Sequence, residues 1–89
     1  MTSHATMLTP PSNYAVVQMP DRKCPGVVFQ GDTLHSMTTQ VAQMQRLLAK
    51  QDLAELGDEI EVLLHDLLAI QNFYEQVCSE QAIDLPYFR

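Results

Sequence analysis

The sequence predicts an α+β domain, a β-hairpin or three-stranded antiparallel meander followed by an antiparallel two-helix hairpin. Three observations carry that prediction. Short β-branched and aromatic runs, separated by prolines and other turn formers, fill residues 5–31. From Leu34 onward the apolar residues alternate in steps of three and four, the period of a helix. Charge changes at the same border: residues 1–30 hold Asp21, Arg22 and Lys23 and sum to +1, whereas residues 31–89 hold three bases and ten acids and sum to −7, giving the net −6 of the whole chain. With 89 residues the chain is one domain, divided into a β part at 5–31, a first helix at 32–50, a second helix at 52–82 and an extended tail at 83–89.

Tyr14 to Met19 reads as a strand stopped by Pro20, which has no amide to donate to a central ladder. Gly26 to Gln30 is a second such run, and the turn formers from Pro20 to Pro25 place Asp21, Arg22 and Lys23 at a hairpin tip. An isolated hairpin is marginal in water, and Ala5 to Thr9, ahead of the turn signal Pro10 to Asn13, supplies a candidate third strand. Gly31, Asp32 and Thr33 mark the change of period, with Asp32 or Thr33 able to accept bonds from the first free amides of a helix. Leu34, Met37, Val41, Met44 and Leu48 then form a narrow apolar stripe. The phase breaks at Lys50 to Asp52, where Asp52 and Glu55 have the spacing of an N-cap and its third residue. Leu53, Leu56, Ile60, Leu63, Leu67, Ile70, Tyr74 and Val77 continue without an error, so the two stripes are expected to meet. Pro86 keeps the residue before it out of the helical region, and residues 83–88 read as extended.

Val62, Leu64, Leu68 and Ala69 lie outside the second stripe, so apolar surface wraps most of the way round that helix. One neighbouring helix cannot cover it. Either the sheet lies on the far side or a second protomer does; the short chain and the small charge of the first helix favour a homodimer through the helices.

Composition excludes several classes of function. The net charge of −6 opposes binding to nucleic acid or to an anionic membrane, both of which need a basic surface. No run approaches the roughly 20 apolar residues of a membrane span. Met1 to Pro11 lacks the basic and apolar regions of a signal peptide, and Cys24 and Cys78 form no C-x-x-C pair, so reduced thiols and a cytoplasmic setting are expected. No nucleophile elbow surrounds the serines, and the three glycines make no phosphate loop. Cys24 reads as a packing residue rather than a nucleophile activated by His35. No cofactor and no metal site is expected.

Candidate sites remain. Nine acids lie between Gln51 and Leu85 with no Lys or Arg among them, and Glu55, Asp58, Glu59, Glu61 and Asp66 would present a basic protein partner with a docking surface. The competing reading of that run is a solubilising face. Asp58, Glu61 and His65 share one helix face, which opens a third, weaker reading as a metal-dependent enzyme.

The run from Asn13 to Leu34 resembles the signature of a family of small bacterial proteins known only as a domain of unknown function, with two helices and an ending like Ile83 to Tyr87 to follow. Arg22, Pro25, Gly26, Gln30, Gly31 and Asp32 match that signature, whereas Cys24 stands at an aromatic position. The resemblance implies a strand hairpin followed by helices in a bacterial cytoplasm, and no activity. It also directs attention to a small-ligand or anion site formed by Arg22, Gln30, Gly31 and Asp32, where Gly26 and Gly31 suit special backbone angles. The competing reading is fold-defining turn chemistry. The function expected from the sequence is a non-catalytic protein-binding or regulatory module, of an immunity or antitoxin type in its most specific form.

Overall fold

The computed structural model describes residues 4–9 and 14–88, and the expected turn at Pro10 to Asn13 lies outside them. Three antiparallel strands, β1 (Thr6–Met7), β2 (Tyr14–Gln18) and β3 (Gly26–Phe29), form a sheet of order β1-β2-β3. Two helices follow, α1 (Gly31–Ala49) and α2 (Leu53–Glu80). The architecture is the α+β meander and helical hairpin that the sequence predicts. No described helix is long and apolar enough to cross a membrane.

Register decides which side chains the sheet presents to the helices. Val16 pairs with Val27 and Tyr14 with Phe29, so alternation puts Tyr14 and Val16 on one face and Ala15 and Val17 on the other. The first face meets the C-terminal third of α2. Val16 packs with Tyr74, Val77 and Cys78, flanked by Leu8, Val27, Phe73, Ile83 and Leu85. Tyr14 meets Phe73 edge to face at 5.5 Å, and the Tyr74 hydroxyl donates to the Pro25 carbonyl at 2.7 Å, joining α2 to the loop ahead of β3.

Both helices end in the same way. Asp52 N–H reaches the Leu47 carbonyl and Gln51 N–H the Leu48 carbonyl, each at 3.0 Å; Ile83 N–H reaches Cys78 at 2.8 Å and Ala82 N–H reaches Ser79 at 3.2 Å. These are paired Schellman bonds, which need a left-handed residue just past the helix. Gln51 (φ 60°) and Ala82 (φ 55°) occupy those positions, and Asp21 (φ 61°) does so in the hairpin turn. The special backbone angles expected at Gly26 and Gly31 are not found. Among the described residues no glycine has a positive φ, and a Cβ added at Gly26 or Gly31 meets nothing within 4 Å. Gly26 opens a strand and Gly31 a helix, both regions open to any residue. Gln51→Gly and Ala82→Gly should therefore each stabilise the fold by about 0.5–1 kcal/mol, because removing Cβ strain outweighs the extra freedom of the unfolded chain. Urea midpoints at fixed protein concentration will show it; an unchanged midpoint in both variants contradicts the strain argument.

The turn between the helices is compact because Asp52 serves both ends: its amide closes α1 and its Oδ1 accepts from Glu55 N–H at 3.2 Å at the start of α2. This is the N-cap that the sequence predicts. At α1 the expectation is met in part, since Asp32 Oδ1 accepts from Thr33 N–H at 2.8 Å while Gln30 is the capping residue and its side chain makes no cap bond.

The two stripes meet along only one edge of each. Met37, Gln40, Met44 and Leu47 face Leu56, Glu59, Leu63 and Ile70, all half-buried except the buried Leu47, and Gln40 Nε2 donates to the Glu59 carbonyl at 3.4 Å across this seam. The alternate members, Leu34, Val41 and Leu48 on α1 and Leu53, Ile60 and Leu67 on α2, stay exposed. Nor does the sheet cover the middle of α2, where Val62, Leu64, Leu68 and Ala69 are exposed.

Candidate functional site

Glu55, Asp58 and Asp66 of α2 fall on the side that turns away from the uncovered stripe. At 100° per residue, Glu55, Asp58 and Asp66 lie within roughly 80° of one another. Glu55, Asp58, Glu61 and Asp66 are exposed, whereas Glu59 is half-buried against α1. From Glu55 to Asp66 the row runs about 16 Å, at 1.5 Å per residue. Farther along, Glu75 fastens the tail to the helix. Its Oε2 accepts from the Tyr87 hydroxyl at 2.9 Å and from Gln71 Nε2 at 3.3 Å. The acidic run thus divides into an N-terminal half whose carboxylates are mostly exposed and a C-terminal part in which Glu75 is bonded to the tail.

The corner set is dispersed. Arg22 is at the hairpin tip, where Gln18 Nε2 donates to its carbonyl at 2.6 Å, and it lines a groove with Cys24 and Pro25. Gln30, Gly31 and Asp32 stand at the opposite end of β3, a strand of four residues that spans about 13 Å. Gln30 and Gly31 border an apolar groove of about 410 Å³ on the outer sheet face, lined by Met7, Ala15, Val17 and Val28. The structure does not bring Arg22 to the other three.

Asp58, Glu61 and His65 are exposed on one face of α2, and among the described residues no group of three such side chains is placed to hold a metal ion. Both cysteines are free, Cys78 buried and Cys24 half-buried with its Sγ 3.8 Å from the Asp84 carbonyl.

One tyrosine has a strongly altered acidity. Burial first, and then the Cys78 thiol beside it, push the Tyr74 hydroxyl up from 10.0 to about 12. Its bond to Pro25 and its place in the core make this a structural group. The Tyr74–Pro25 and Tyr87–Glu75 bonds are both invisible to sequence reasoning, because the partners are 49 and 12 positions apart with no motif linking them.

Fold and site together define a small α+β protein whose helical hairpin exposes most of its carboxylates on one side and most of its uncovered aliphatic side chains on the other. Residues 1–87 match the family of unknown function DUF6959, and the chain belongs to that family. No curated protein and no solved structure matches it.

Proposed function

We propose that the protein is a non-catalytic protein-binding or regulatory module of the bacterial cytoplasm that docks a basic partner on the acidic side of α2. One observation carries the reading. Glu55, Asp58, Glu61 and Asp66 are all exposed on a single helix, with no Lys or Arg between Gln51 and Phe88 to neutralise them. Such a surface raises the association rate of a positively charged partner and disfavours acidic ones. Its preformed helical geometry suits an immunity or antitoxin role, in which a basic functional surface is covered.

Affinity capture from the native host tests this, with the bound proteins identified by mass spectrometry. Wild type should retain a basic protein that Asp58→Lys/Asp66→Lys loses, and retention should weaken as salt rises because the contact is charged and exposed. Equal capture by both forms, insensitive to salt, would contradict acidic docking.

A further inference from the structure

We infer that the uncovered aliphatic side of the helical hairpin is the interface with a second copy of this chain, closing a four-helix bundle across a two-fold axis. The stripe on each helix consists of two sets repeating every seven residues. One set, Met37 and Met44 with Leu56, Leu63 and Ile70, is spent on the seam within the protomer. The other set, Leu34, Val41 and Leu48 with Leu53, Ile60 and Leu67, is between 42% and 67% exposed. A two-helix hairpin has no use for the second set, whereas a four-helix bundle points both toward its centre.

The uncovered sets lie together. On each helix they are rotated roughly 70–90° from the seam in the same sense along the chain, and in an antiparallel pair equal rotation brings both to one side. Leu64 and Leu68 extend the surface, and the positions between, Thr38, Gln45 and Gly57, carry no charge.

Three further observations select a second copy as the occupant. The half-exposed side chains offer on the order of 100 Å² each, about 800 Å² together, which is the contribution of one partner to a standard stable interface and exceeds the patch most monomers expose. The protomer is open in shape: its radius of gyration is 16.3 Å where about 12 Å is usual for this length, and its surface is 6754 Å² where about 5,300 Å² is usual for this mass. Two chains of net charge −6 repel least where charge is absent, and a two-fold contact through this side leaves Glu55, Asp58 and Asp66 of both copies facing outward. Pairing and docking through Glu55, Asp58 and Asp66 use opposite sides of α2, whereas Glu61 flanks Leu68 at the rim of the pairing surface.

Light scattering from about 1 to 100 µM tests it, because assembly follows mass action. Wild type should show twice the 10.1 kDa chain mass, and Val41→Glu/Ile60→Glu should weaken association by about a hundredfold or more through uncompensated buried charge. Val62→Glu, an equal insertion on the acidic side of the same helix, should remain dimeric. A wild-type monomer throughout the range overturns the inference and points instead to a helix from another protein, and so does a double variant that keeps the wild-type mass. Should the double variant unfold, circular dichroism of Val62→Glu decides: a folded dimer supports the assignment, and loss of fold in both variants overturns it.

Discussion

Replacing Tyr74 by Ala will cost about 3–5 kcal/mol of stability, the range for deleting a large buried aromatic side chain. The magnitude follows from how few groups join the two halves of the molecule. Among the described residues sheet and helices share one buried cluster, of Val16, Tyr74, Val77 and Cys78, and Tyr74 adds the buried bond to the Pro25 carbonyl. Tyr74→Ala empties the centre of that cluster and removes the bond together. Tyr74→Phe keeps the ring and leaves only the Pro25 carbonyl without its donor, so it should cost about 1–2 kcal/mol. Urea unfolding at one protein concentration measures both. Equal losses from the two substitutions would show that packing around the ring contributes little, contrary to the geometry.

Stability should also fall in alkali between pH 10 and 12, by about 2–3 kcal/mol in all from this one group, because each pH unit by which folding delays loss of the proton is worth about 1.36 kcal/mol. In the unfolded chain Tyr74 loses its proton near the ordinary tyrosine value of 10.0, while burial and the neighbouring Cys78 thiol hold it in the folded state until about 12. The raised value favours the protonated, folded form. Its contribution is fully present below pH 10 and is lost as pH rises through the folded value. Other groups titrate in the same interval, so the measurement is a difference: the loss of stability from pH 9.5 to 12 in wild type minus that in Tyr74→Phe. Identical losses in the two proteins would mean that the hydroxyl is not held protonated by the core.

Much of the fold is legible in the sequence because its signals are local. Val16 and Val17 before Pro20 mark a strand end, the three-four steps from Leu34 to Val77 mark two helices, and Asp52 with Glu55 marks a cap that the structure reproduces. The candidate sites are less evenly legible. The acidic row is readable because a helix of known period fixes which carboxylates share a side, and the structure exposes Glu55, Asp58, Glu61 and Asp66 while holding Glu59 against α1. Only nearness in sequence joins the corner set. A strand separates its members, since β3 carries the chain away from Arg22 before Gln30 is reached.

Sequence by itself therefore determined the kinds and order of the elements, the segregation of charge onto the helices and the surplus of aliphatic surface on α2. Tertiary structure alone decided how that surplus is distributed. Whether Met37 or Val41, Leu63 or Ile60, enters the seam depends on how each helix is rotated about its axis, and the periodic stripe is compatible with either rotation. The rotation is set by contacts distant in sequence, the sheet seated on Tyr74, Val77 and Cys78 and the Tyr74 bond to Pro25, with the local closure of both helix ends through Gln51 and Ala82 fixing how the chain leaves each helix. Those contacts leave half of each stripe open along the hairpin, a result no single-helix pattern contains.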